Sequence, residues 1–205
     1  MYFEPKALSL DKSPYSPHMI VPQLVSQNAY VLDVGCNIGY IGKYLKKNKK
    51  CICDGIDFDE SLLIKARPYY RNLFKIDLFK DDFVLRHQYD YILFIDLLEH
   101  LPTPHKILKK MVKNLKDDGR IIICLPNVAR IELRLKHLLG NFDYKPGIMN
   151  EDHLRFFTFK SGKKLIEDCG LEIERVLSTG LGARIKIFPK LIAFQFIYIC
   201  KKKQE

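Results

Sequence analysis

No apolar run in this chain of 205 residues approaches the roughly 18 that a membrane-spanning helix needs. The longest, from Leu191 to Cys200, covers ten residues and reads as a buried strand. Glu4, Pro5 and Lys6 interrupt any apolar core of a signal peptide, so a cytoplasmic location is expected. Internal repeats, low-complexity segments and linkers are also lacking, and 47% hydrophobic residues suffice for one sizeable core; one domain over 1–205 is expected. Cysteines with metal or redox spacing are missing too. Cys51 and Cys53 would point to opposite faces of a strand, and the other four lie mostly in apolar runs, which suits reduced core thiols. Finally, there is no G-x-G-x-x-G, the pattern that places a dinucleotide pyrophosphate on a helix N-terminus.

Charge is plentiful, with 34 Lys and Arg against 24 Asp and Glu, a net of +10. Its placement tempers the inference of an acidic partner. Lys43, Lys46, Lys47, Lys49 and Lys50 gather where a helix C-terminus would welcome cations, and Lys201 to Lys203 read as a solvated tail. A nucleic-acid partner is therefore disfavoured, while a small anionic acceptor or a membrane surface fits somewhat better.

The organising stretch is YVLDVGCNIGY at 30–40. Tyr30 to Val34 reads as a buried strand, Gly35 and Gly39 bracket a tight loop, and apolar residues at helical spacing follow to Lys47. Asp33 repels a phosphate but suits a ligand carrying an ammonium group, such as S-adenosylmethionine (SAM). The stretch resembles motif I of the class I SAM-dependent methyltransferases, with Asn37 in place of the middle glycine. Asn tolerates the left-handed backbone, so the loop is expected to form.

Further matches follow in order. CICDGIDF at 51–58 reads as a second strand ending in Asp57, which can accept both ribose hydroxyls; Asp59 instead starts the next helix. NLFKIDL at 72–78 reads as a third strand ending in Asp77. The resemblance implies an adenine contact there, and the alternative is a cap for Phe79 onward. YDYILFI at 89–95 reads as a central strand, followed by DLLEHLPTP at 96–104, similar to the segment after strand four in many small-molecule methyltransferases. A helix from Pro104 to about Leu115, a turn at Asp118-Gly119 and a fifth strand at Arg120 to Leu125 complete the pattern. A helix from Thr158 to Cys169, a sixth strand from Leu171 to Ser178 and a seventh from Ile192 to Lys201 close the chain. The resemblance spans about 15–200 and implies an α/β, Rossmann-like doubly wound sheet of seven strands with the last antiparallel.

The resemblance implies Asp33, Gly35, Gly39, Asp57, Asp77 and Asp96 as cofactor-binding residues. Tyr15 and His18 precede motif I, where such enzymes close over their ligand, although surface packing is the favoured reading for both. Val128 to Phe157 is too long for a plain connection and is expected to form a lid or acceptor pocket. Within it, Ile131, Leu135, Leu138 and Leu139 form an apolar helical stripe opposite Arg130, Arg134, Lys136 and His137, and Arg155 could hold an anionic acceptor. His100 and His153 are the candidate catalytic bases, because imidazole alone titrates near neutrality.

Asp96, Glu99 and His100 at i, i+3 and i+4 share one face of a helical turn. With His153 they would resemble the divalent-metal set of quinone-pathway and small-RNA methyltransferases. Asp96 shortens that pattern's reach, so no metal ligand is assigned. The expected activity is SAM-dependent O-methylation of a small or sugar-like acceptor. The alternatives are RNA 3′-end methylation, a catalytically silent SAM-binding subunit, and a nicotinamide-dependent oxidoreductase.

Overall fold

Continuous apolar runs rich in β-branched and aromatic residues build the centre of one sheet. Its strands are β1 (Tyr30–Val34), β2 (Ile52–Asp57), β3 (Asn72–Lys75), β4 (Tyr89–Phe94), β5 (Leu115–Pro126), β6 (Leu171–Ser178) and β7 (Gln195–Lys202). The computed structural model describes residues 13–185 and 188–204. Most of the expected N-terminal lead-in, including Glu4, Pro5 and Lys6, lies outside the described residues. Strand order is β3-β2-β1-β4-β5-β7-β6. The first five strands are mutually parallel, and β7 runs antiparallel to both β5 and β6. This is the doubly wound sheet the sequence implied, reversed strand included.

Helices cover both faces because successive strand residues point to opposite sides. On one face Leu32, Phe94, Ile121 and Ile123 pack with Leu108 and Met111 of α4 (Pro104–Val112) and Ile166 of α6 (Phe159–Glu167). On the other, Val31, Leu93 and Ile122 pack with Val21 of α1 (Pro17–Leu24), Leu45 of α2 (Tyr40–Lys49) and Leu63 of α3 (Glu60–Ala66). All six cysteines are buried and none forms a disulfide. Asp54, fully buried in β2, accepts from Arg71, Asn72 and the Tyr89 hydroxyl, so its charge is paired rather than orphaned.

Several boundaries differ from the sequence reading. β3 stops at Lys75, so Asp77 lies in the following turn. α4 ends at Val112, and β5 begins at Leu115 rather than after a turn at Asp118-Gly119. A Cβ at Gly119 would sit 3.0 Å from the carbonyl oxygens of Tyr89 and Asp90, so this extended path requires glycine where a turn was expected. Two short helices, α7 (Leu181–Ile185) and α8 (Pro189–Ile192), fill a connection in which the sequence showed only the start of the last strand. Lys201 and Lys202 are no free tail. They belong to β7 and pair with Glu172 and Asp117 at 3.5 and 2.9 Å. No helix among the described residues is long and apolar enough to cross a membrane.

Candidate functional site at the switch point

β1 and β4 are neighbours, and the chain winds outward from them in opposite directions; a doubly wound sheet opens its ligand crevice at such strand ends. The backbone leaving β1 turns back at once. Gly35 N and Cys36 N both donate to Ile56 O, at 2.8 and 2.9 Å. Gly35, Asn37 and Gly39 take φ of +77°, +48° and +86°. A Cβ at Gly39 would lie 3.0 Å from a Tyr70 ring carbon and 3.1 Å from Ala66 Cα, so both conformation and space demand glycine there. Asn37 adopts the left-handed backbone as expected, and its Oδ1 accepts from Ile38 N at 2.8 Å. The loop therefore closes without the middle glycine and delivers bare backbone to the N-terminus of α2.

Asp57, 8% exposed at the end of β2, braces this loop from below. Its Oδ2 accepts from Asn37 N at 2.9 Å and its Oδ1 from Asp59 N at 3.1 Å. Burial pushes its carboxyl up, and those two N–H groups hold it down. Asp33 lies deeper, 3% exposed, where the Tyr70 hydroxyl donates to it at 2.6 Å and itself accepts from Gly42 N at 3.1 Å. Tyr70, which the sequence reading missed, thus ties motif I to α2, and nothing in its local sequence announces that role.

Burial raises the Asp33 carboxyl from 3.8 to about 6, against the lowering effect of the Tyr70 bond and with help from the Asp57 charge. A raised acid stabilises the fold fully below about pH 4, and that contribution is lost as pH climbs through about 6. The loss is on the order of 3 kcal/mol, since one pKa unit is worth about 1.4 kcal/mol. Asp33→Asn should therefore flatten stability over this window. Denaturant midpoints of parent and variant at pH 4 and 7 measure it, and parallel curves would refute the linkage.

Asp77 is spent differently. Its Oδ1 accepts from Phe79 N at 3.0 Å and its Oδ2 pairs with Lys80 Nζ at 3.1 Å, so it caps the turn that follows. This is the structural role the sequence left open for it. Asp96, at the tip of β4 with φ +51°, accepts from Gln195 Nε2 at 2.6 Å. Burial raises its carboxyl, and the positive form of nearby His18 on α1 opposes that. His18 is half-buried, and its Nδ1 is buried without a hydrogen-bond partner among the described residues. Gln195, also missed, carried a legible signal as the polar residue inside the 191–200 apolar run.

Beyond Asp96, a 3₁₀ turn at Leu98–His100 meets the 128–157 insertion. Leu154 N and Arg155 N both donate to Glu99 O at 2.9 Å, which fixes the insertion against β4. His100 Nδ1 lies 3.0 Å from Asp152 O, and His153 Nδ1 lies 3.0 Å from Ile148 O. A carbonyl only accepts, so both Nδ1 atoms carry hydrogen and both Nε2 lone pairs are free. The two rings meet edge-on at 4.8 Å. Glu99 is 1% exposed, yet neither carboxylate oxygen has a hydrogen-bond partner. Burial and the Asp96 charge lift its carboxyl well above the usual range.

Ligand atoms of Glu99, His100 and His153 all lie within 4.8 Å of one another. An orphaned carboxylate and two imidazoles whose tautomers are preset by backbone carbonyls fit a divalent cation. Asp96, committed to Gln195, is not part of this group. Arg155 donates from Nε and Nη2 to Pro102 O at 3.2 and 2.6 Å, which ties the insertion to the segment after β4 and leaves the other guanidinium N–H groups for an anion. A cavity of about 630 Å³ opens between α5 (Ile131–Leu138) and the segment that follows it, lined in part by Arg130, Lys136, Lys145, Met149 and Phe194.

A family model described as a methyltransferase domain matches residues 17–176. The chain is 30% identical over 107 residues to a ubiquinone biosynthesis O-methyltransferase of Glaesserella parasuis, covering 47% of this chain and 45% of that protein. It is 31% identical over 114 residues to a tRNA U34 carboxymethyltransferase of Nautilia profundicola, covering 52% and 37%. The chain thus spans less than half the length of both relatives. Its fold is similar to that of the Burkholderia thailandensis 1,6-didemethyltoxoflavin-N1-methyltransferase, solved with S-adenosylhomocysteine bound, with a TM-score of 0.66 at 16% identity over 95% of this chain and 80% of that one. With the glycine loop, the strand-end acids and the reversed last strand in place, the chain belongs to the methyltransferase domain family.

Proposed function

We propose that this enzyme methylates a hydroxyl of a small acceptor held between the motif I loop and the 128–157 insertion. The observation that carries the reading is the Glu99, His100 and His153 cluster, fixed at the end of β4 where an acceptor would approach the cofactor. When bound, SAM supplies a methyl group on a sulfonium, and in-line displacement asks the protein mainly to position the acceptor and exclude water. Asp57 and the backbone of Gly35 to Gly39 hold the cofactor in this reading, with Asp33 and Tyr70 bracing them. Asp96 faces its amino-acid end, and Asp77 reaches adenine only if its cap opens.

A hydroxyl is a poor nucleophile until its proton is drawn off, whereas a neutral amine attacks first and loses its proton afterwards; in the neutral imidazole, Nε2 of His100 or His153 would accept the hydroxyl proton as the oxygen attacks. Glu99, His100 and His153 are also the residues that would hold a divalent ion, whose Lewis acidity lowers the pKa of a bound hydroxyl. The test presents methyl-labelled SAM with catechols, phenols and sugar hydroxyls beside amines of the same shape. Methyl ethers are expected, and exclusive N-methylation would overturn the assignment. Calorimetry with manganese or zinc should show uptake that His153→Ala abolishes, a readout independent of turnover.

A second reading, RNA as the acceptor, draws on the net charge of +10 and the tRNA-modifying relative. It requires binding that weakens steeply with salt, because phosphate contacts release counterions.

A further inference from the structure

The stripe of Ile131, Leu135, Leu138 and Leu139 has the spacing of a helix face that packs on a core. In the structure only its first residue, Ile131 at 39% exposure, is largely covered by the described residues. α5 has no buried residue, and Leu135, Leu138 and Leu139 are 54%, 82% and 77% exposed. Phe142 and Tyr144 extend the same surface at 56% and 57%. Scattered exposed leucines are ordinary, but five large apolar side chains within ten residues form a patch that water does not favour.

The tip is built rather than frayed. Gly140 N donates to His137 O at 3.0 Å, Asn141 N donates to Lys136 O at 2.9 Å, and the Phe142 ring lies 4.5 Å from the His137 ring. A second apolar projection stands at the same end of the sheet. α7 and α8 join the end of β6 to the start of β7, which is paired with the end of β5 from which α5 departs. They present Leu181, Ile185 and Phe188 at 44%, 45% and 72% exposure.

Cations flank both projections. Arg134, Lys136 and Lys145 surround the first, and Arg184 and Lys190 belong to the second. The acids near α5 are Glu132, already paired with Arg130, and Asp143. Protruding apolar side chains bordered by Lys and Arg match a bilayer interface, where the former enter the acyl boundary and the latter meet anionic headgroups. A protein partner would need a complementary apolar groove rimmed with acid, whereas a bilayer supplies both chemistries at once.

We propose that the α5 tip, assisted by the α7–α8 projection, docks this enzyme on a bilayer surface carrying anionic lipid. The test is flotation of the full chain with phosphatidylcholine vesicles, with or without about one-third phosphatidylglycerol. Binding to the anionic vesicles is expected, weakening as salt screens the lysines. Leu138→Asp combined with Leu139→Asp should lower it on the order of tenfold. Neither leucine touches the cofactor loop or the Glu99 cluster, so the thermal midpoint and affinity for S-adenosylhomocysteine should match the parent. No binding to anionic vesicles, or equal binding by the variant, overturns the proposal. A concentration-dependent dimer that the double variant dissociates, without vesicle binding, overturns it too and assigns the face to a second copy of the chain.

Discussion

Asp57→Ala is expected to reduce affinity for S-adenosylhomocysteine by roughly a hundredfold or more, with the sheet still folded. Two effects combine. The proposed ribose contacts are hydrogen bonds to a charged group, each contributing about 1.5–3 kcal/mol, and each 1.4 kcal/mol is a factor of ten. In addition, Asn37 N and Asp59 N lose their acceptor, so the loop presenting its backbone to the ligand is no longer braced. Asp57→Asn keeps one acceptor oxygen for Asn37 and separates the two effects: its loop should hold while ribose affinity falls part of the way. Calorimetric titration of both variants decides it. Parental affinity in Asp57→Ala with a normal thermal melt would remove Asp57 from the ribose site.

The second large effect is expected at Glu99. Glu99→Gln should lower turnover on the order of a hundredfold, the scale of losing a positioned acid–base or metal group, while S-adenosylhomocysteine affinity stays within about threefold. The replacement is isosteric, and a glutamine resembles the neutral acid that burial favours, so the melt should not fall. Turnover at the parental level would confine Glu99 to holding the insertion, since its backbone oxygen accepts from Leu154 and Arg155 whatever its side chain.

Much of this was legible before any coordinates. β1 and β6 begin and end where the sequence reading placed them, and Asn37 takes the left-handed backbone its residue type permits. The sequence also singled out Glu99, His100 and His153, though His153 is more than fifty residues away from the other two. Their meeting depends on two N–H groups of the insertion reaching one carbonyl, which no local pattern encodes. Illegible for the same reason were Tyr70 under Asp33 and His18 beside Asp96: both are tertiary contacts between residues of unremarkable local sequence. Asp118 and Gly119 fall where the register against β4 jumps from Leu115 to Arg120, so the turn-forming pair marks an irregularity inside β5 and not its start. The α5 stripe erred in the opposite direction, since helical periodicity reports an apolar face without saying what covers it.

The reversed β7 has a consequence for the order in which a growing chain becomes competent. β6 is synthesised earlier, yet among the described residues β7 is its only strand partner, so it has no ladder to join until β7 has emerged. The same late strand carries Gln195, whose amide reaches back 99 residues to hold Asp96 at the mouth of the crevice. A chain still awaiting that strand can assemble the motif I loop but not the opposite wall. The Gln195–Asp96 bond is therefore among the last contacts of this sheet that can form during synthesis.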